Sequence, residues 1–367
     1  LTYRDGVPMV YDSGDYPKAL MRALDELGGL ETIRARQKTA LAEGRYLGLG
    51  MGCYVEGTGV GPFEGATVKI DPTGKIMVAT GACPQGQGHE TIFAQFAADM
   101  WQVPIEDVFV TVADTGHVSQ GYGTIASRST VTASGAIKLA TDEVHEKVFA
   151  IAANMLETAE TDLELRDAGV GVKGVPDMHV SYRDIATAAK PGWGHQRPDG
   201  VAAGLESTSY YEPPTVTWSY AANASLVEVD PETGQINIEK YVEVHDAGVL
   251  VNPMLADGQV KGGLVQGLGG ALLEELAYDD QGQLLTGSLM DYLIPTASDV
   301  PPLAVVHQET PSPLNAFGVK GLGEGGAIAP PVVIANAVCD ALRPFNAELN
   351  STPVRWGQVA AFFDQDI

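Results

Sequence analysis

Apolar positions along the first forty residues fall on a helical stripe. Leu20, Leu24, Leu27 and Leu30 recur at three- and four-residue spacing within 17–44, which predicts one or two helices. Arg34, Arg36 and Lys38 lie toward the C-terminal end, where the helix dipole favours cations. The pattern then changes. GLGMGCYVEGTGVGPFEGATVKI (48–70) is β-type and dense in glycine, as expected where backbones pack closely. ATVKIDPTGKIMVATG (66–81) sets two strand-like runs around an Asp-Pro-Thr-Gly turn, and ASLVEVDPETGQINIEKYVEV (224–244) repeats it. The first copy runs into Gly86-Gln87-Gly88 and a helical segment, TIFAQFAADMW. The second runs into Gly258-Gln259 and GGLVQGLGGALLEEL.

Two hairpin–Gly–Gln–helix units predict an α+β chain of two related lobes, each a mixed sheet backed by helices. Chance is the weaker explanation, since Asp-Pro-x-Gly hairpins are common. The first lobe is expected over 1–195, including the N-terminal helical segment, and the second over 196–367. A long helix is expected over 129–158, irregular structure over 160–205 with a linker at 190–202, and a further helix near 330–343. Pro330 and Pro331 suit that last helix's first turn.

Length and composition limit the function classes. A chain of 367 residues, 45% apolar, can bury a sizeable core. Its net charge of −25 argues against nucleic acid or an anionic membrane surface as partner. Cys53, Cys83 and Cys339 are too scattered for a disulfide framework, a zinc site or an iron–sulfur centre. A reducing, cytoplasmic setting is the simplest context. No run of about 20 apolar residues suggests a membrane span, and no signal peptide is evident.

Three segments can carry chemistry. In GACPQGQGHETIFAQ (81–95) glycines flank Gln87 just before a helix, an arrangement suited to an anion or a polar ring system. His89 there reads as a hydrogen-bonding residue ahead of a metal ligand. In GYGTIASRSTVTASGA (121–136), Ser127, Arg128, Ser129 and Thr130 crowd the start of a helix. They read as ordinary caps or as a phosphate cradle, with Arg128 adding a fixed charge. In GVKGLGEGGAIAPP (318–331), Glu324 stands among glycines. It is either a surface acid or a partly desolvated carboxylate pressed against a ligand and able to act as general base. The spacings Gly321-x-Gly323-x-x-Gly326 and Gly169-x-Gly171-x-x-Gly174 match a dinucleotide pattern, but neither follows a convincing buried strand. Asp246-Ala-Gly and Asn252-Pro read as turn formers.

Taken in order, GQGHET, GTIASRST, DAG…NP…DGQVKGG, GSLMDYLIPTA, TPSPLN and GVKGLGEGG make the chain resemble the large subunit of molybdenum hydroxylases, the xanthine oxidase, aldehyde oxidoreductase and carbon monoxide dehydrogenase family. The resemblance spans nearly the whole chain. It implies a molybdenum–molybdopterin cofactor, with the cytosine dinucleotide form among the candidates, whose own sulfurs hold the metal. By motif, Gln85, Gly86 and Gln87 would line the cofactor, and Ala126, Ser127, Arg128, Ser129 and Thr130 would hold its phosphate end. Gln259 would approach the pterin, and Glu324 would be the catalytic base beside the metal; Gln87, Ser129 and Gln259, distant in sequence, should converge on one ligand.

Family large subunits are about twice as long, and no counterpart of their N-terminal half is found. The implied partners are a chain supplying that half, an iron–sulfur subunit and an FAD subunit, because this chain carries no iron–sulfur or flavin motif. The implied reaction inserts water-derived oxygen at an electrophilic carbon of an aldehyde or N-heteroaromatic substrate. A non-catalytic half-subunit that only completes a cofactor pocket and a carbon monoxide-oxidising enzyme remain as alternatives. The first is disfavoured by the presence of Glu324, the second by the Gly325-Gly326 that follows it.

Overall fold

In a computed structural model of the chain, residues 2, 6–192 and 197–364 are described. Two helices, α1 (Tyr16–Glu26) and α2 (Leu30–Ala42), precede the strands β1 (Tyr46–Thr58), β2 (Glu64–Ile70) and β3 (Ile76–Thr80). Helix α3 (His89–Trp101) leads to β4 (Val108–Val112), and the long α4 (Ser129–Leu156) follows. Next come β5 (Leu163–Arg166), β6 (Gly169–Val172), β7 (His179–Ser181) and α5 (Tyr182–Ala188). β8 (Glu206–Tyr211), β9 (Thr217–Val229) and β10 (Ile236–Asp246) precede α6 (Pro253–Leu272) and β11 (Leu303–His307). The chain finishes with α7 (Gly325–Ile328), α8 (Pro330–Ala341) and α9 (Trp356–Ala360).

The chain divides into two compact units. Unit 1 holds Gly59–Val216 and Leu314–Gly321, with the first residues of the chain; unit 2 holds Val10–Thr58, Thr217–Pro313 and the segment from Leu322 on. Both expected hairpins form. β2 pairs antiparallel with β3, Ala66 opposite Thr80, and β9 with β10, Ala224 opposite Val242.

The likeness goes beyond the hairpins. In unit 1 the sheet runs β4-β3-β2-β8: α3 crosses from β3 to the parallel β4, and α4 returns to pack on β2 and β8. In unit 2 the order is β11-β10-β9-β1: α6 crosses from β10 to the parallel β11, and α8 packs on β9 and β1. Topologically, α3 matches α6 and α4 matches α8. The loop before α4, with its serines, therefore matches the loop before α8, with Glu324.

The units differ in the origin of the fourth strand, and this changes the expected boundary at 195/196. In unit 1 that strand is β8, made late. In unit 2 it is β1, made early, which pairs with β9 along its whole length from Tyr46 opposite Val229 to Thr58 opposite Thr217. Residues 10–58 thus pack with the second unit, where α1 lies on β9 and β10 and α2 on β1.

Other expectations shift as well. Part of the segment 160–205 is regular: β5, β6 and β7 form a three-stranded antiparallel sheet, followed by α5, while the described residues of 189–205 belong to no helix or strand. The expected linker at 190–202 falls inside unit 1, and its residues 193–196 lie outside the described residues. Gly258-Gln259 does not precede a helix but sits within α6, which starts earlier because Asn252 Oδ1 accepts from Leu255 N (3.1 Å) and Pro253 fits the first turn.

One packing contact explains a run of glycines. Gly48, Gly50 and Gly52 alternate along β1 and so share a face of the sheet. A Cβ on Gly48 would stand 1.8 Å from Ala337 O, and one on Gly50 1.9 Å from Val333 O. Helix α8 lies directly on the strand's backbone, burying Val333, Ile334, Ala337 and Val338 in the larger apolar core of unit 2. Gly50→Ala should therefore destabilise the protein by at least the ~1–3 kcal/mol typical of overpacking. Denaturant unfolding would measure it; a change under about 0.5 kcal/mol, within the ordinary scatter of surface substitutions, would refute the contact. Among the described residues no helix is long and apolar enough to cross a membrane.

Candidate functional site

In unit 1 the loops before α3 and α4 meet. Gln87 Oε1 accepts from Gln85 N (2.5 Å), Gln87 Nε2 donates to Gln85 Oε1 (3.3 Å), and Gln85 Nε2 donates to Thr124 O (3.5 Å). Thr124 and Ser129 are joined through their hydroxyls (2.7 Å). Gly86 lies between the two glutamines with φ +95°, and no heavy atom stands within 4 Å of where its Cβ would be. The geometry therefore gathers Gln85, Gly86 and Gln87 at open space with side-chain amides at its edge, while Ser129, joined to Thr124, is buried.

The strain in this loop sits at Ala126 (φ +47°) and Ser127 (φ +50°), consecutive non-glycine residues in the left-handed region. Such residues persist only where their surroundings over-determine them. Arg128 supplies that constraint. It is wholly buried, and Nη1 donates to Glu64 Oε2 (2.8 Å) and Gly123 O (2.6 Å), Nη2 to Phe63 O (2.6 Å) and Nε to Val60 O (2.7 Å). Glu64, also wholly buried, accepts from the backbone N–H groups of Tyr122 and Gly123 as well. Arg128 was expected to offer its charge to a phosphate. Its guanidinium is instead spent on Glu64 and three carbonyls, so it shapes the loop from within. Nor do the serines cap α4: Arg128 occupies the cap position, with no side-chain cap bond. His89 differs too. It begins α3 with its ring on Phe93 (5.4 Å) and Nδ1 buried without a hydrogen-bond partner among the described residues, and burial pulls its pKa below the usual histidine value, keeping the ring neutral.

In unit 2, Gln259 and Glu324 line one pocket of about 500 Å³, together with Gly258, Gly262, Gln266 and Gly323. Gln259 Nε2 donates to Gly323 O (2.7 Å), so the helix holds the loop that presents Glu324. No heavy atom lies within 4 Å of a Cβ built on Gly258 or Gly262, which leaves the helix backbone open toward the pocket. The loop itself is packed tightly: a Cβ on Gly326 would stand 2.3 Å from Val260 O. Glu324 was expected to be partly desolvated. Within this chain its side chain is exposed, because the glycines beside it pack downward and turn it outward; any desolvation must come from what covers it. Among the described residues, no three His, Cys, Asp or Glu side chains are grouped to hold a metal ion, and Cys53, Cys83 and Cys339 are free.

Residues 23–301 match the model of a molybdopterin cofactor-binding domain. The chain belongs to the molybdopterin-binding large subunits of the xanthine oxidase family. Nicotine 6-hydroxylase large subunit from Paenarthrobacter nicotinovorans is 39% identical over 94% of this chain and 44% of its own length. The carbon monoxide dehydrogenase large chain of Afipia carboxidovorans is 35% identical over 92% and 43%. Quinoline 2-oxidoreductase from Pseudomonas putida superposes with a TM-score of 0.91 at 38% identity, over 100% of this chain and 47% of that one. The chain thus spans less than half the length of the relatives it matches. For a molybdopterin-binding chain the two loop groups fit well. Exposed amides and side-chain-free backbone suit a flat polar ring system, and a braced helix start suits its anionic end. Of the candidate residues, Glu324 alone falls outside the matched 23–301.

Sequence reasoning missed Glu64, which anchors the loop, and a polar row on β1 and β10 beneath Gly325. The signal for Glu64 was an acid at the start of a strand otherwise made of small and apolar residues.

Proposed function

We propose that this chain is the cofactor-holding C-terminal half of a molybdenum hydroxylase large subunit, acting on a carbon of an N-heteroaromatic ring. The observation that carries the reading is Glu324: a carboxylate presented by a glycine loop into an open pocket, with Gln259 fixing the loop. When bound, the molybdopterin would supply the two-electron oxidation, with water as the oxygen source. Gln85, Gly86 and Gln87 would bind one face of the cofactor, and the backbone of Ala126–Thr130, held by Arg128, its anionic end, the cytosine dinucleotide form included. Gln259 would orient the ring system and Glu324 would accept the proton at its carboxylate oxygen.

The heteroaromatic substrate rests on the nicotine and quinoline relatives, at 38–39% identity, and on Gly325-Gly326 directly after Glu324. A carbon monoxide-oxidising reading is supported by the TM-score of 0.90 with a carbon monoxide dehydrogenase. Dye reduction by the assembled enzyme with quinoline or with carbon monoxide as sole donor separates the two; reduction with carbon monoxide alone would reverse the assignment.

Electrons would leave through iron–sulfur and FAD subunits, and the rest of the large subunit would complete the pocket. The surface of unit 2 suits such a neighbour: Leu276, Leu285, Leu289, Met290, Leu293 and Ile294 are each at least half exposed. Gln87→Trp in unit 1, and separately Gln259→Trp in unit 2, should lower molybdenum content several-fold with the fold intact by circular dichroism. Full molybdenum content in both would end the cradle reading.

A further inference from the structure

The sheet of unit 2 carries a buried polar row that none of this uses. The register places Tyr54, Ala221, His245 and His307 side by side across β1, β9, β10 and β11, with Asn223 opposite Glu243 in the next row on the same face. Ala221 is small, so Tyr54 Oη reaches His245 Nδ1 (3.0 Å), and Glu243 Oε1 stands 3.4 Å from the same nitrogen. Glu243 and His245 are wholly buried. Both Glu243 oxygens, His245 Nε2, both His307 ring nitrogens and Asn223 Nδ2 are buried without a hydrogen-bond partner among the described residues.

Stability alone does not ask for this. Tyr54 belongs to the same core as Val260, Leu264 and Val333, where aliphatic residues would pack without orphaned polar atoms, and each such atom calls for an explanation. What the row touches supplies one. A Cβ on Gly325, the residue after Glu324, would stand 2.5 Å from Tyr54 Oη and 2.8 Å from His245 Cε1. The Glu324 loop rests on this pair.

We propose that Tyr54, His245 and Glu243 are positioning residues for Glu324. The inference rests on the reading of Glu324 as the proton acceptor. Tyr54 Oη is hydrogen-bonded to His245 Nδ1 and the Glu243 carboxylate packs against the same nitrogen without a hydrogen bond, so the imidazole and the tyrosine hydroxyl form a buried polar floor. Gly325, lacking a side chain, sits flush on that floor. The carboxylate one residue earlier is thereby held in one place rather than allowed to wander with the loop.

The test uses the assembled enzyme with Tyr54→Phe and, separately, Glu243→Gln, both close in shape to the native residues. Rate, molybdenum content and amide hydrogen exchange would be followed together. Losing the Tyr54 hydrogen bond, or the Glu243 charge beside His245, should lower kcat about tenfold while KM and molybdenum content stay within about twofold. Exchange should quicken over 318–329 and stay unchanged over 121–130. Unchanged kcat and exchange in both variants would overturn the proposal. So would faster exchange throughout unit 2 with loss of molybdenum, which marks a packing role only. Exchange is independent of the parent reading: full activity in Glu324→Gln would remove the base assignment, while local quickening in Tyr54→Phe would still report the contact.

Discussion

Replacing Glu324 with glutamine is expected to cut turnover per bound molybdenum by about 10²–10⁴-fold, the usual contribution of a general base. Glutamine keeps the shape and can still hydrogen-bond, but it cannot take up the proton. Because the Glu324 side chain is exposed and its loop is held by Gln259 through Gly323 O, neither the fold nor the cofactor content should change. Glu324→Asp should fall between the two, since the base survives but is withdrawn by one methylene. Rate and molybdenum content measured on the same preparation decide the matter. Near-normal turnover per molybdenum would exclude the base role and favour a half-subunit that only completes a pocket. Loss of molybdenum in step with activity would make Glu324 a cofactor-holding residue.

The second large effect belongs to unit 1. Glu64→Ala should destabilise it by about 3–5 kcal/mol, because Arg128 would be left as a buried charge without its counter-ion. For a unit of this size that is roughly 6–20 °C in Tm. The cost should fall on the loop that carries Ala126 and Ser127, whose left-handed backbone depends on the brace. Pairing Glu64→Leu with Arg128→Leu should recover only part of the loss, since the carbonyls of Val60, Phe63 and Gly123 would lose their donor. Calorimetry on the single and double variants would show it. A Glu64→Ala protein melting within a degree of the parent would mean that the pair contributes nothing.

How far the sequence alone carries can be judged from particular segments. The two hairpins were legible because Asp-Pro-x-Gly turns are short-range signals, and α3, α4 and α8 because their apolar periods are long. β5, β6 and β7 were not: GVGV offers four residues and little side chain, too short for a period to register. Gly258-Gln259 looked like a loop because glycine suggests one, yet in α6 glycines serve close contact, with Gly263 and Gly267 facing Gly326 and Pro330. The pairing of β1 with β9 has no local signature at all. The family motifs marked the right loops, but not what each residue does there. Arg128 resembled a phosphate ligand because charge is visible in sequence and burial is not. Glu243 and His245 alternate with Val242 and Val244, which reads as a half-exposed strand; the structure buries both faces.

That late partner of β1 has a consequence during synthesis. Most of unit 1 is spliced into unit 2 between β1 and β9, so a ribosome that has just made Thr58 must translate all of Gly59–Val216 before the strand's mate begins to emerge. At ~5–20 residues per second this is on the order of ten to thirty seconds. Through that interval a thirteen-residue strand with a bare glycine face has no ladder to join, while most of unit 1 is made before its mate. Nascent chains stalled before and after Val229 should therefore differ in protease sensitivity at 46–58.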